Sequence, residues 1–127
     1  MDWSITYEGE WLLFNLIGVI DIDGLMKFAR AGHAIEMRFT PVPHRLTDMS
    51  DVIDIHLNRR ELNELALHRK SLTFPNTFKS AIVAPELTHY GFAKMFQQLN
   101  DHPQIEIKIF QKMAEAQAWL KPARKAG

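Results

Sequence analysis

The residues best suited to chemistry in this chain of 127 amino acids fall within one short stretch, residues 48–56. The stretch holds three aspartates, a serine and a histidine, which are Asp48, Asp51, Asp54, Ser50 and His56. It comes at the end of a predicted strand, and ligands of open α/β sheets bind where parallel strands end. The loop after the next strand would bring further polar side chains to the same edge, namely Glu86, Thr88 and His89. The candidate partner- or ligand-binding residues are therefore Asp48, Ser50, Asp54, His56, Thr88 and His89.

Three interpretations of these side chains compete with a binding surface. Ser50, His56 and Asp54 have the residue types of a catalytic triad, but the sequence lacks the glycine-flanked turn that exposes such a nucleophile. Asp54, His56 and His89 could bind a metal ion, but their spacing matches no known ligand motif. The pattern favours a structural role, in which Asp54 and Asn58 accept hydrogen bonds from backbone amides and His56 faces solvent. We predict no catalytic residue, no metal ligand and no cofactor.

Asp48 falls in a strand that is expected to be central in the sheet. An unpaired carboxylate in that position would be costly to bury. We expect Asp48 to lie at the mouth of the strand and to accept backbone hydrogen bonds. The alternative is a carboxyl group whose pKa is perturbed by burial.

The composition excludes several classes of function. Fifteen basic side chains balance fifteen acidic ones, so no net field draws the protein to nucleic acid or anionic lipid. There is no cysteine, which excludes disulfides, thiolate metal sites and thiol nucleophiles. The start of the chain lacks a secretory signal, and the longest apolar stretch, Trp11–Ile20, is about half of a bilayer span. We expect a cytoplasmic protein with no transmembrane segment.

The pattern of apolar residues predicts five strands and four helices in a single domain, residues 1–127, with a frayed basic tail at residues 121–127. The predicted strands are Trp3–Glu8, Trp11–Gly18, Arg45–Met49, Lys79–Ala84 and Ile105–Phe110. The helices are predicted to begin at an Asp23 cap, at the capping box Asn58–Glu61, at Pro85–Glu86 and at Met113. The fold class is therefore α/β, with a mixed sheet that opens on an antiparallel hairpin and continues in right-handed β-α repeats.

This order of elements, together with several local sequences, resembles the SpoIIAA-like family. That family includes STAS domains and bacterial proteins that have been compared with CRAL-TRIO lipid-binding domains. The similarity covers most of the chain. Besides the opening hairpin, the matching segments are Arg45–Val52, Ser80–Pro85, Gly91–Met95, Ile105–Phe110 and Ala114–Leu120.

The resemblance also implies a kind of function. In the anti-sigma-factor antagonists of the family, a serine beside an aspartate after the third strand is phosphorylated, and this switches partner binding. Here Asp54 matches the aspartate, but Ile55 and His56 occupy the positions of the serines, and Ser50 lies four residues earlier. The resemblance therefore implies a binding module without that switch and without catalysis.

The first expectation is a noncatalytic module that mediates protein–protein interaction through the edge with Asp54, His56 and His89. Its partner would be another protein or a second copy of the chain, as in a homodimer, and not a nucleic acid.

The alternative is a carrier of a small apolar or lipid-like ligand. Flexible methionines beside aromatic rings suit an adaptable surface, so Met37, Phe39, Phe92 and Met95 are candidates for an apolar pocket or a dimer face. A hydrolase that uses Ser50 ranks third, and it requires the serine hydroxyl to lie within hydrogen-bond reach of His56.

Overall fold

The computed structural model describes residues 1–122. Its strands are β1 (Asp2–Tyr7), β2 (Trp11–Asp21), β3 (His44–His56), β4 (Phe78–Val83) and β5 (Ile105–Phe110). Its helices are α1 (Ile22–Glu36), α2 (Arg59–Lys70), α3 (Leu87–Leu99) and α4 (Met113–Leu120). Most of the predicted basic tail, residues 123–127, lies outside the described residues.

The strands form one mixed sheet in the order β1-β2-β3-β4-β5. β1 pairs with β2 in the antiparallel direction, and the other neighbouring strands are parallel. The predicted fold class, an α/β domain with an opening hairpin followed by β-α repeats, is confirmed. The capping box of α2 also forms as predicted, because Asn58 and Glu61 bond to each other's backbone N–H groups.

The helices divide between the two faces of the sheet. On one face, a cluster that includes Leu16, Ile82 and Ile109 packs against α1 and α3, and α2 contacts both of these helices. On the other face, Leu46 and Val83 pack against α4 in a second cluster. The described part of the chain contains no helix that is both long enough and apolar enough to cross a membrane.

The main difference from the predicted elements is the length of β2 and β3. β3 was expected at Arg45–Met49 but continues to His56, and β2 continues to Asp21. The last pair between β3 and β4 is Asp48 with Val83, whereas β3 goes on pairing with β2 as far as His56. The two strands therefore form a ribbon that extends beyond β4, with two register shifts in their pairing.

The predicted helix cap at Asp23 is wrong. β2 runs in extended conformation to Asp21, and the Asp21 side chain accepts a hydrogen bond of 2.7 Å from the backbone N–H of Gly24. Asp23 lies in the first turn of α1, where its negative charge suits the positive end of the helix.

Candidate functional site

The predicted polar edge is present at the end of β3. His56 Nε2 lies 2.9 Å from Asp54 Oδ2, and the two side chains are 64% and 63% exposed. The other oxygen of Asp54 accepts the backbone N–H of Ile55 at 2.8 Å. These two hydrogen bonds, the backbone bond above all, lower the pKa of Asp54. Asp54 therefore has the backbone-binding role that the sequence favours, and His56 is accessible to solvent as expected.

Glu86 and His89 form a second side-chain pair on the same edge, at the start of α3. His89 Nε2 lies 3.0 Å from Glu86 Oε2, and the charge of His89 contributes to the lowered pKa of Asp54. The side chain of His89 is only 5% exposed, whereas Thr88 is exposed. Within residues 1–122, no group of three or more histidines and carboxylates has the arrangement of a metal site.

Ser50 and Asp48 form a separate pair. The hydroxyl of Ser50 donates to Asp48 Oδ1 at 2.6 Å, and the backbone N–H of Ser50 donates to the same oxygen at 2.9 Å. Asp48 thus accepts a backbone hydrogen bond, as expected, but it does not lie at the mouth of its strand, because β3 continues to His56. Because the Ser50 hydroxyl donates to Asp48, the serine–histidine hydrogen bond of a Ser50–His56–Asp54 triad is not formed, although the bond between His56 and Asp54 is present.

A cavity of about 120 Å³ lies between the sheet and the helices α1, α2 and α3. Its size is comparable with that of an engineered apolar cavity of about 150 Å³ that binds benzene. Twelve of its fifteen lining residues are apolar and three are polar. The apolar ones are Leu16, Ile20, Leu25, Met49, Ile55, Leu57, Leu62, Leu65, Ile82, Phe92, Ala93 and Phe96.

The polar lining residues lie together at one end of the cavity. Arg45 and Ser80 are register partners on β3 and β4, and Thr47 is two residues further along β3. All three are buried. The lining residues Ile55, near the other end of β3, and Leu57, just after it, are only half-buried. The cavity therefore has a deep polar end and a more accessible apolar end.

A buried ionic network adjoins the polar end. Arg45 binds Glu36 through two nitrogens, with Nε to Oε2 at 3.0 Å and Nη2 to Oε1 at 2.9 Å. Arg69 Nη2 lies 4.0 Å from Glu36 Oε1, and its Nη1 donates to the carbonyl of Ala29 at 3.4 Å. Glu36 is 1% exposed, Arg45 9% and Arg69 7%. One carboxylate thus faces two buried guanidinium groups.

Comparison with known structures identifies the fold. No protein-family model matches the chain, and no curated protein is significantly similar to it. Among solved structures, the chain is similar to an uncharacterised protein of the DUF3478 family with a SpoIIAA-like fold, from Shewanella loihica PV-4. The match has a TM-score of 0.57 and 17% sequence identity, and it covers 94% of this chain and 93% of the other. The chain has a SpoIIAA-like fold.

Within this SpoIIAA-like fold, the sequence prediction missed the position of the cavity and most of the residues that line it. Of the residues proposed for an apolar pocket, Phe92 lines it, whereas Met37 and Met95 are exposed and Phe39 contacts the ring of Tyr7. A signal for the network was present, because Arg69 follows Leu62 and Leu65 at helical spacing and so falls on the apolar stripe of α2.

Proposed function

We propose that this protein is a noncatalytic carrier that binds a small, largely apolar ligand in the cavity between the sheet and α1–α3. The observation that carries the proposal is the cavity itself, with about 120 Å³ of space and twelve apolar lining residues. An apolar molecule in such a space restores the dispersion contacts that its walls otherwise lack. By comparison with benzene in a cavity of similar size, the cavity holds about six heavy atoms of a ligand. A longer tail would extend past Ile55 and Leu57.

The proposal is tested by titration with two neutral probes, 1-hexanol and benzene, followed by amide chemical shifts in NMR spectra. The lining residues should shift in a saturable way, and each probe should raise the melting temperature, because a ligand that binds only the folded state stabilises it. The absence of saturable shifts at the cavity residues for both probes would contradict the proposal.

A matched pair of variants locates the binding. Ala93→Leu extends a buried lining residue into the cavity and should abolish binding of both probes. Ala114→Leu makes the same change at an exposed position of α4, outside the cavity, and should leave the affinities unchanged. Far-UV circular dichroism checks that both variants are folded. Equal affinity of the two variants would place the bound probe elsewhere.

A second candidate function, self-association, is favoured by two exposed apolar side chains on the polar edge. Ile53 is 76% exposed and directly precedes Asp54, and Leu87 is 74% exposed and directly follows Glu86. The edge carries carboxylates and an imidazole side by side, so a second copy could present complementary charges to it. A formal net charge of zero also removes the general repulsion between copies.

Sedimentation velocity over a concentration series tests this second candidate. We expect a dimer whose dissociation constant rises about tenfold in Asp54→Lys, as is typical when like charges are brought together in an interface. Asp23→Lys, at another exposed aspartate, serves as the control for the change in net charge. A monomer at all concentrations would exclude the candidate.

A further inference from the structure

The charges beside the cavity do not balance. Glu36 supplies one negative charge, and Arg45 and Arg69 supply two positive charges, all three side chains being buried. The bidentate bond neutralises Arg45 against Glu36, with the shortest contact at 2.8 Å. Arg69 stands further away, at 4.0 Å from the same carboxylate. One positive charge is therefore left over in the interior.

The lowered pKa of Arg69 reflects this excess positive charge. Burial, followed by the positive charge of Arg45, lowers the pKa of Arg69 to about 9, and Glu36 opposes the change only in part. This pKa is far below the usual range of a guanidinium in water. An additional negative charge near Arg45 and Arg69 would relieve this repulsion.

The side chains at the polar end of the cavity are already positioned to bind a polar group. The guanidinium of Arg45 lies 5.7 Å from the ring centre of Phe14 and 5.3 Å from that of Phe78, which fixes its plane. Its bonds to Glu36 use Nε and Nη2 and leave Nη1 outside the pair. The hydroxyls of Ser80 and Thr47 line the same end. Because these groups are held by the surrounding packing, little ordering remains to be done when a ligand binds.

We propose that the ligand is a short-chain carboxylate that binds with its head at Arg45, Thr47 and Ser80 and its apolar chain toward Ile55 and Leu57. This inference rests on the proposed carrier function and adds the chemical class of the ligand. The bound carboxylate brings the local charge to zero, since two arginines then face two carboxylates. A neutral ligand of the same length leaves the excess positive charge in place and gains only the apolar contacts.

Hexanoate and 1-hexanol form the decisive pair of probes, because they share one chain length and differ in the head. At pH 7.5 an aliphatic carboxyl group is ionised. NMR titrations of the full chain should show both probes at the cavity residues, with hexanoate bound about tenfold more tightly or better, the size expected for a charge-assisted hydrogen bond. If 1-hexanol binds and hexanoate binds equally well or more weakly, the proposal that the ligand is a carboxylate is wrong, and the carrier function still stands. Failure of both probes, together with failure of benzene, would overturn the carrier function.

Two variants of Arg69 test the source of the preference. Arg69→Met removes the excess charge at nearly constant volume and leaves the Glu36–Arg45 pair neutral, so the preference for hexanoate should fall. Arg69→Lys retains the charge and should retain the preference. An undiminished hexanoate preference in Arg69→Met would overturn the charge argument. If Arg69→Met does not fold, a loss of the preference in Arg69→Lys would overturn it as well.

Discussion

Glu36 is the residue whose removal should disturb this protein most clearly. Its carboxylate is 1% exposed and is bound by Arg45 through three contacts of 2.8 to 3.0 Å. A buried ion pair adds little net stability when compared with apolar residues, but the loss of one partner leaves the other charge uncompensated. In this network the loss of Glu36 would leave two uncompensated guanidinium groups.

We predict that Glu36→Gln lowers the free energy of unfolding by about 3–5 kcal/mol, the range measured for broken buried pairs. Urea denaturation followed by circular dichroism measures the change. The control is Glu64→Gln, because Glu64 pairs with Arg60 at 3.6 Å on the surface. It should change the stability by less than about 1 kcal/mol. Similar effects of the two substitutions would contradict the prediction.

Residue patterns predicted the polar edge better than the cavity. The sequence pattern groups Asp54 and His56 with the polar side chains that follow a predicted strand ending at Met49, and the structure brings them within 2.9 Å, although both lie inside β3. The cavity could not be predicted, because its shape depends on how three helices pack against the sheet. Arg45 illustrates the difficulty, because the sequence pattern indicates only a polar residue at the start of a predicted strand.

At the level of elements, the order of strands and helices was predictable, and β5 has the predicted bounds, Ile105–Phe110. The end of β3 could not be predicted, because Ser50, Asp51 and Asp54 are residue types that are typical of loops. These residues are held in extended conformation by pairing with β2, a contact between distant parts of the chain. Long-range pairing here outweighs local preference.

Two glycines give a prediction about the elements that contain them. Gly91 lies on the exposed side of α3, and Gly18 lies in β2 with a φ of +87°. A Cβ atom would meet nothing within 4 Å at either position. Gly91→Ala should therefore stabilise the protein by about 0.5–1 kcal/mol, because alanine favours a helix. Gly18→Ala should destabilise it by about 1–2 kcal/mol, because its backbone conformation is left-handed.

Thermal and urea denaturation of the two glycine variants measure these changes. Since neither substitution creates a steric clash, the opposite signs isolate the effect of backbone conformation. Destabilisation by Gly91→Ala would mean that α3 is not helical at this position in solution.

Across the whole molecule, three histidines make stability depend on pH. Burial is the largest cause of the lowered pKa values of His33, His44 and His68. Arg69 lowers the pKa of His33 and His68 further, and Arg30 that of His68, while Glu36 raises that of His33. All three histidines therefore take up protons more readily in the unfolded chain, near pH 6.5, than in the folded protein.

Because the unfolded state then binds more protons, the free energy of unfolding should fall as the pH drops below 6.5. We predict a lower urea midpoint at pH 5.5 than at pH 7.5. The double variant His33→Gln, His68→Gln should show a smaller difference between the two conditions. The lowered pKa of Asp54 acts in a more acidic range, below its usual value of 3.8, and does not affect this comparison. Equal midpoints for the parent protein would contradict the prediction.

The strand edge of the ribbon formed by β2 and β3 affects how the protein associates with other molecules at high concentration. Residues 49–56 of β3 run past the last pair with β4, a length of roughly 25 Å at the usual rise per residue. A bare strand edge of this length is a template for the strand of another molecule. Here the backbone N–H groups of Ser50 and Ile55 are occupied by the chain's own carboxylates, Asp48 and Asp54, and two bulges disturb the pairing. The ribbon should therefore resist pairing with a strand from another molecule. Any contact that another molecule makes there should involve side chains and not backbone hydrogen bonds.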